Sequence, residues 1–502
     1  METVVVNGGG LTPAQVAAVA FKRARAVADD DLDSRLGPAR AIVDTAVASD
    51  EIIYGITTGF GALATTHIGR EQAEALQYNL LRSHATGVGD PMPDEVVRAM
   101  LLLRARTLAQ GHSGVRPLIV EKLLELLNED ILPIVPSQGS VGASGDLAPF
   151  AHLALPLIGE GLVKTSIGVM ASSDGPIEPI RLMTKEGLSL LNGTEGMTAM
   201  GAIAHHHARH LLMAADAAAA LSVEALLASA RPFRPEIHAL RPHPGQIVSA
   251  RRIASLIEGS EIVASHTGDF HHAVQDSYSL RCAPQVHGAV GDTLDHLEGV
   301  LTIEMRSVVD NPIVFAETGE VVSGGNFHGE PLAFALDFTA IAVSELAAIS
   351  ERRTDRILDP ARSQGLPAFL AADPGVESGY MITQYLQAAL VAENRVLAHP
   401  ASIDSIPTSA GQEDHVSMGW GAGRKLADII DNVRIVLAVE LLCAARGVEL
   451  RAPLRPGTGS GRLLDAIREE IPPLTGDRSP SAEIETLAGM IEAGEIASLT
   501  DV

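Results

Sequence analysis

Apolar residues recur at helical spacing through long segments of the second half of the chain. Residues 195–230, 330–356 and 414–450 keep this spacing well beyond the length of an average helix, and residues 71–83 and 94–110 keep it over shorter lengths. Helices this long bury their apolar faces only when partners pack along their whole length. The pattern therefore predicts a mostly α-helical protein built around a bundle of long helices.

The first part of the chain is richer in residues that interrupt helices. Thr12 and Pro13 form an N-cap and a first helical position, and they predict a helix that continues to about Asp31. Glycines then loosen residues 54–66, and prolines interrupt residues 133–149. We expect this loop-rich N-terminal region to carry the active site.

The change of pattern near residue 191 divides the chain into three parts. We predict an N-terminal domain over residues 1–191, a central long-helix bundle over residues 192–456 and a C-terminal tail over residues 457–502. The glycine-rich residues 456–461 are interpreted as a flexible connection. One subunit of 52.5 kDa would cover helices of this length poorly, so the pattern also favours an oligomer.

Composition restricts the partners and the compartment. Hydrophobic residues make up 46% of the chain and aromatic residues only 3%, so aliphatic side chains must fill the core. The formal net charge of −25 argues against nucleic acids and anionic membrane surfaces as partners. Asp216 and Glu224 interrupt the apolar residues 211–230, which fall short of a membrane span. With no secretory signal, and with Cys282 and Cys443 as free thiols, we expect a cytoplasmic protein.

The most informative stretch reads GSVGASGDLAPF, over residues 139–150. If the amide nitrogen of Gly145 attacks the carbonyl carbon of Ala143, a five-membered ring forms. Loss of two waters, one of them from the Ser144 hydroxyl, leaves a 4-methylidene-imidazol-5-one (MIO), which is an electrophile. Glycine allows the backbone to bend into the ring because it has no Cβ. Ala-Ser-Gly alone occurs by chance in many chains, and a turn of small residues between helices is the simpler alternative.

The flanking residues favour the electrophile over the turn. The run GSVGASGDLAPFAHLAL resembles the signature of the aromatic amino acid ammonia-lyases and aminomutases, and the resemblance extends over roughly residues 11–450. It implies a helical homotetramer in which each active site is shared among three subunits. It also implies autocatalytic formation of MIO from Ala143, Ser144 and Gly145, with no PLP, no NAD and no metal.

The same resemblance assigns roles to residues elsewhere in the chain. Tyr54, in YGITTGFG, falls on the catalytic base of a mobile loop, although a lone tyrosine in such a loop is otherwise a packing residue. Arg281, in QDSYSLRCAPQ, falls on the group that binds the substrate carboxylate, a role that suits the guanidinium fork. The resemblance adds four residues that line the substrate or the ring: Asn192, Gln275, Tyr278 and Phe327.

Two further motifs predict the side chain of the amino acid substrate. Ser83 and His84 match the pair with which the family recognises an imidazole, and Glu413 matches the glutamate opposite it. A carboxylate gains a charge-assisted hydrogen bond from an imidazole and none from a hydrocarbon ring. We predict elimination of ammonia from L-histidine to give trans-urocanate. Gly411 departs from the larger polar residue of the family, and an acidic pair at a helix N-terminus is the alternative for Glu413 and Asp414.

Two other functions remain open at this point. A tyrosine or phenylalanine ammonia-lyase, or a 2,3-aminomutase, would share the core residues, and some tyrosine aminomutases also carry the serine–histidine pair. A non-catalytic helical assembly protein would need none of Tyr54, Ser144 and Arg281. The histidine runs at residues 205–207 and 271–272 lack the spacing of a helical zinc site, so we expect no metal there.

Overall fold

Helices dominate the structure, a computed structural model that describes residues 2–49, 52–59, 63, 66–69, 71–266 and 275–500. The helices are α1 Pro13–Ala20, α2 Leu32–Ser49, α3 Ala73–His84, α4 Asp94–Leu108, α5 Pro117–Asn128, α6 Leu147–Ala154, α7 Glu186–Leu191, α8 Glu195–Ala225, α9 Pro235–Ala239, α10 Pro244–Leu256, α11 Glu261–Ala264, α12 Tyr278–Arg281, α13 Ala283–Glu304, α14 Glu330–Leu358, α15 Met381–Leu397, α16 Gly419–Glu449, α17 Thr458–Glu470, α18 Ser481–Glu492 and α19 Glu495–Thr500. The predicted mostly α-helical fold is confirmed, and α4, α8 and α14 match their predicted segments closely.

Strands are short and form small sheets in the part of the chain that the structure describes. The strands are β1 Glu2–Val6, β2 Ala24–Ala28, β3 Val88–Pro91, β4 Leu132–Pro133, β5 Pro136–Gln138, β6 Leu162–Thr165, β7 Gly168–Ala171, β8 Ile313–Phe315 and β9 Glu320–Val322. β1 and β2 pair in parallel, whereas β3–β5, β4–β6–β7 and β8–β9 pair antiparallel.

The helix predicted from Pro13 to about Asp31 is wrong in its second half. Helix α1 ends at Ala20, and Ala24–Ala28 forms β2 instead. This segment pairs in register with β1, and the pairing buries Val4 and Val6 of β1 together with Ala24 and Ala26 of β2. A partner strand distant in sequence therefore overrides the local helical pattern.

Two predictions for the segments that precede α16 and α17 differ from the structure. Helix α16 begins at Gly419 rather than at Asp414. The interpretation of residues 456–461 as a flexible connection is also wrong. Gly457 is the N-cap of α17, and its amide donates to Glu224 at 2.7 Å. A Cβ on Gly457 would lie 2.5 Å from the backbone of Ile257. Glycine occurs there because two segments approach closely and not because the chain is flexible.

The chain forms two compact units, and each collects three separate segments. The first unit contains Met1–His206, Leu297–Asp337 and Pro400–Arg424, and the second contains His207–His296, Phe338–His399 and Lys425–Val502. Four of the five boundaries between these segments fall inside α8, α13, α14 and α16, and the fifth follows α15. The division of the linear chain at residues 191 and 456 stays a prediction.

Buried charges connect four helices within the second unit. Arg353 of α14 pairs with Glu440 of α16, with 2.5 Å between Nε and Oε1, and both side chains are fully buried. Ser222 of α8 donates to Glu440 at 2.7 Å. A second buried contact joins α13 to α8, where His287 lies 2.8 Å from the carboxylate of Asp216. A buried charge is tolerated only when partners replace its water, so these contacts fix the packing of the four helices.

One described helix, α14, is long and apolar enough to cross a membrane by length and composition. In its most apolar 18-residue window, 61% of the residues are buried inside the protein. Such burial is typical of the core helix of a globular bundle.

We predict that Glu440→Gln strongly destabilises the protein. The substitution leaves the buried Arg353 guanidinium without a counter-charge, and loss of one partner of a buried pair costs about 3–5 kcal/mol. Denaturant unfolding followed by circular dichroism would measure the change. Glu236→Gln is the matched control, because Glu236 pairs with Arg234 at the surface and should matter little. Equal stability of the two variants would contradict the structural role of the network.

Candidate active site

The tripeptide Ala143-Ser144-Gly145 forms a tight bend just before α6, in which Ser144 and Gly145 are buried and Ala143 is half-buried. Gly145 has a φ of +73°, in the left-handed region that favours glycine. The Ser144 side chain is 3% exposed, and its Oγ lies 3.4 Å from the amide nitrogen of Asp146. Ser140 donates a hydrogen bond to the Gly145 carbonyl across the bend. The bend is therefore compact, and its serine is shielded from water.

Two other segments of the first unit hold the carbonyl oxygen of Ala143. The amide of Gly329, directly before α14, donates to this oxygen at 2.8 Å. The hydroxyl of Ser417, two residues before α16, donates to it at 2.9 Å. Neither donor is predictable from the sequence, because one is a backbone amide and because long stretches of chain separate both of them from the bend.

The thioether of Met197 lies where the three segments meet. A Cβ added to Gly145 would be 3.0 Å from Met197 Sδ, and a Cβ on Gly329 or Gly419 would overlap the same side chain. Met197 is fully buried on α8. Three glycines thus allow three backbones to pack against one side chain, which fixes the position of the bend.

Buried ionisable side chains surround Asp146, the residue that directly follows the bend. Asp146 accepts a hydrogen bond from the Gly196 amide at 2.7 Å. Burial raises the pKa of Asp146 well above its usual range, and the nearby charge of Glu195 raises it further. Arg104 lies 2.8 Å from Glu195 and donates to the carbonyl of Asn192 at 2.7 Å. Arg104 thereby connects the predicted site residue Asn192 to Glu195, whose charge acts on Asp146.

Asn192 caps the C-terminal end of α7 and is held from a second side. Its Nδ2 donates to the carbonyl of Asn311 at 3.4 Å. The adjacent Asp310 forms a fully buried pair with Lys185, at 2.9 Å, and burial lowers the pKa of the Lys185 ammonium. Asn-Gly is only a turn signal in the sequence, but these contacts give Asn192 a fixed position in the structure.

Glu413 lies close enough to His84 for its carboxylate to influence the pKa of the His84 ring. His84 ends α3, and its Nδ1 is 2.9 Å from the Leu80 carbonyl. A carbonyl only accepts hydrogen bonds, so Nδ1 carries the proton and Nε2 of the neutral ring is an acceptor. Burial lowers the pKa of His84, although the Leu80 carbonyl and the Glu413 charge oppose the shift. The ring is therefore neutral near pH 7.

A short loop before α16 holds Glu413. Thr408 donates through its hydroxyl to the Glu413 carboxylate at 2.6 Å, and its amide donates to the Glu413 carbonyl at 2.9 Å. Gly411, with a φ of +84°, forms the turn, and nothing lies near the place of a Cβ. A larger polar residue there would adopt a strained conformation. The acidic pair Glu413-Asp414 does not begin a helix, so that alternative is wrong.

Tyr54 and Phe327 also belong to the first unit. Tyr54 lines a cleft of about 800 Å³, together with residues of α2 and of the β8–β9 hairpin. Phe327 is half-buried, two residues before Gly329. In the loop predicted to be mobile, Phe60 and Gly61 lie outside the described residues.

Gln275, Tyr278 and Arg281 form a separate group in the second unit. The Arg281 guanidinium lies over the Tyr278 ring, 4.6 Å from its centroid, and its Nε donates to the Asp276 carbonyl at 3.1 Å. The buried Arg353 donates to the Ser279 carbonyl at 3.3 Å and so ties α12 to the charged network. Tyr278 is 70% exposed and Gln275 is also exposed. This group therefore presents polar atoms to the outside of its own unit.

One group of possible metal ligands occurs among the residues that the structure describes. His328, Glu330 and His415 bring their ligand atoms within 4.8 Å of one another. The two rings stack, with centroids 5.8 Å apart, and Glu330 lies 3.8 and 3.9 Å from their nitrogens. These distances also suit ion pairs when a ring is protonated, so the cluster does not require a metal. Of the histidine runs, residues 271–272 lie outside the described residues.

Known proteins share extensive sequence similarity with this chain. Residues 11–469 match the profile of the aromatic amino acid lyases. Histidine ammonia-lyase of Gloeobacter violaceus is 53% identical over 483 residues, which cover 94% of each chain. The enzyme of the same name from Deinococcus radiodurans is 53% identical over 469 residues, which cover 92% of this chain and 88% of the relative.

Solved structures agree with this relationship. Histidine ammonia-lyase from Trypanosoma cruzi superposes with a TM-score of 0.91 at 41% identity, covering 100% of this chain and 95% of the other. Tyrosine aminomutase from Streptomyces globisporus gives a TM-score of 0.93 at 38% identity, covering 99% and 98%. The fold is that of the ammonia-lyases and aminomutases, and the protein is a carbon–nitrogen lyase. The chain belongs to the aromatic amino acid lyase family, as its motifs predicted.

We predict that Met197→Ala loosens the packing around the bend. Removing a buried methionine side chain costs about 2–5 kcal/mol when the surroundings do not collapse, and three backbone segments limit collapse here. Met197→Leu is the matched control, since a volume-conserving exchange costs less than about 1.5 kcal/mol. Unfolding in denaturant would measure both variants. Equal losses from Ala and Leu would contradict the packing role of the thioether.

Proposed function

We propose that the protein is a histidine ammonia-lyase, which eliminates ammonia from L-histidine and releases trans-urocanate. The observation that carries the proposal is that His84 and Glu413 lie close enough to interact electrostatically, in the same unit as the Ala143–Gly145 bend. The histidine ammonia-lyases of Gloeobacter and Deinococcus, each 53% identical to this chain, support it. The elimination belongs to histidine catabolism.

The bend suits formation of the electrophile from the chain itself. Its Gly145 adopts a left-handed conformation, and the Ser144 hydroxyl that must leave as water is buried. MIO, once formed from Ala143, Ser144 and Gly145, supplies an electrophile that captures the substrate amine and makes it a better leaving group. The proposed chemistry needs no PLP, no NAD and no metal.

The imidazole pocket favours histidine over other aromatic amino acids. Neutral His84 offers Nε2 as an acceptor, and the Glu413 carboxylate offers a second acceptor. A protonated imidazole has two N–H donors, whereas a phenol has one and a phenyl ring has none. Unpaired acceptors in a desolvated site are costly, so the pocket discriminates against tyrosine and phenylalanine.

The remaining proposed roles divide between the two units. Tyr54 removes the β-proton, and Phe327 lines the site beside the ring. Asn192 and Arg281 bind the substrate carboxylate, where the guanidinium fork forms two parallel hydrogen bonds. Tyr278 and Gln275 accompany Arg281, and Tyr278 lies near the ring cofactor in the assembled site.

We further propose a cytoplasmic homotetramer with shared active sites. Tyr278 is 70% exposed in the single chain, although a catalytic residue must be shielded from bulk water. Large apolar side chains are exposed on α14 and α15, among them Phe338, Ile382 and Tyr385. Exposed apolar side chains of this size support the proposal that these helices contact other subunits. A neighbouring subunit would cover Tyr278 and complete the site.

A second candidate function has one observation in its favour. The tyrosine aminomutase of Streptomyces globisporus has the same fold at 38% identity. A 2,3-aminomutase returns the amine to the β-carbon, whereas a lyase releases it. A tyrosine or phenylalanine ammonia-lyase is the other member of this group of alternatives, and the products separate all of them.

We predict that the purified protein converts L-histidine to urocanate with one ammonia per turnover, measured by ultraviolet absorbance and an ammonia assay. Its intact mass should lie about two waters below the sequence value. Ser144→Ala should fold but lose nearly all turnover, because no hydroxyl remains to leave as the second water. Coumarate, cinnamate or a β-amino acid as product would refute the substrate assignment. Near-normal turnover by Ser144→Ala would refute the role of MIO.

We predict that Glu413→Gln lowers kcat/KM for L-histidine by about 10- to 100-fold, because a hydrogen bond to a charged group is worth about 1.5–3 kcal/mol. Asp414→Asn is the matched control, since Asp414 is the exposed acidic neighbour and should leave kcat/KM close to that of the wild type. Steady-state kinetics and melting temperatures would be compared for both variants. If Glu413→Gln behaves like its neighbour, Glu413 does not bind the imidazole.

A further inference from the structure

The carbonyl of Ala143 differs from the other peptide carbonyls of the bend because two donors converge on its oxygen. The Gly329 amide lies 2.8 Å away and the Ser417 hydroxyl 2.9 Å away. We call these two donors the carbonyl cradle. Ser417 also lies 3.3 Å from the Gly142 carbonyl, but its shorter contact is with Ala143. The cradle therefore holds the one oxygen whose carbon must be attacked when the ring closes.

We propose that the carbonyl cradle is the oxyanion-binding site of the chain's own cyclisation, and that Ser417 is a catalytic residue of this maturation step. The inference rests on the proposed formation of MIO and deepens it. Donors aimed at the oxygen where negative charge develops are a strong means of lowering a barrier in a site without water. Ser417 and Gly329 meet this geometric requirement before the reaction begins.

The step balances without a redox partner. The nitrogen of Gly145 bonds to the carbonyl carbon of Ala143, and the electron pair of the C=O double bond moves onto the oxygen held by the cradle. That oxygen leaves as water with the amide protons of Gly145 and Ser144, and a C=N bond forms. The Ser144 hydroxyl then leaves with the Cα proton as the second water. The cradle thus stabilises the charge that appears in the first of these events.

The N-termini of two helices add a positive electrostatic potential at the carbonyl cradle. Gly329 immediately precedes α14, and its carbonyl accepts the first hydrogen bond of that helix from Ala333. Ser417 precedes α16, and its Oγ lies 3.3 Å from the amide of Gly419, the first residue of that helix. The positive ends of both helix dipoles therefore lie beside the Ala143 oxygen, where they stabilise an anion.

The surrounding structure fixes both donors before the ring closes. Ser417 is fully buried, and the next residue, Met418, has a φ of +60°, which is rare for a long side chain. Such a conformation persists only where the surroundings determine it. The rings of His328 and His415 stack with centroids 5.8 Å apart, and this contact joins the segments that carry Gly329 and Ser417. The donors therefore need little rearrangement at the moment of attack.

The test follows maturation by mass. Wild-type and variant chains would be made by cell-free synthesis, at a temperature low enough to resolve the wild-type half-time, and the loss of two waters would be followed by intact-mass spectrometry. Loss of one oxyanion donor slows catalysis by about 100- to 1,000-fold, so we expect Ser417→Ala to mature about 100-fold more slowly or worse. Ser417→Cys, which keeps a weaker donor of similar size, should mature at an intermediate rate.

Ser140→Ala is the matched control. It removes a hydroxyl from the same bend, but that hydroxyl bonds to the Gly145 carbonyl, whose oxygen is not lost. It should mature near the wild-type rate. Circular dichroism and melting temperature would show that each variant folds. If Ser417→Ala fails to fold, Ser417→Cys takes its place in the comparison.

Each outcome of this experiment has a distinct meaning. A wild-type rate for a folded Ser417→Ala, or for Ser417→Cys where Ala does not fold, would overturn the proposal. Slowing by Ser140→Ala equal to that by Ser417→Ala would also overturn it, because the bend and not the oxyanion would then be responsible. A wild-type chain that never loses two waters would instead refute the proposed formation of MIO.

Discussion

The buried bend at Ala143-Ser144-Gly145 is the constraint on which the first unit depends. A chain that folds back this tightly needs small residues, and Gly145 supplies the left-handed conformation. The bend also needs partners for its backbone, and they come from the starts of α14 and α16 through Gly329 and Ser417. Met197 fills the space where these segments meet. Helices α14 and α16 therefore begin beside the bend.

Buried charges play a comparable part in fixing the side chains around the bend. Arg104 reaches both Glu195 and the Asn192 carbonyl, and Lys185 pairs with Asp310 beside the partner of Asn192. In the second unit, Arg353 pairs with Glu440 and also supports α12, which carries Arg281. Removing charges from water is costly, so each group accepts only an arrangement in which its partner is present. That selectivity positions a site more strictly than apolar packing does.

The two units contribute different things to the proposed reaction. The first contains the bend, Tyr54 and the residues proposed to bind the imidazole, His84 and Glu413, whereas the second presents Arg281 and Tyr278 on an exposed surface. A substrate held at both its carboxylate and its imidazole has little freedom left, and such positioning accounts for a large share of enzymatic rate enhancement. In the proposed homotetramer, assembly of subunits would be a condition for activity, because the exposed group needs a partner surface to shield it.

The sequence by itself determined the helical class, the extents of α4 and α14, and the family, because long apolar periodicity and the motif around Ser144 are local signals. The sequence also predicted Glu413 as a substrate-binding residue, although only the structure excluded the alternative that Glu413 begins a helix. Tertiary structure alone decided that Ala24–Ala28 is a strand, that Gly457 packs closely rather than bends freely, and that Ser417 and Gly329 hold the Ala143 carbonyl. These features depend on contacts between residues far apart in the chain, and a pattern read along the sequence contains no information about which distant segments will meet.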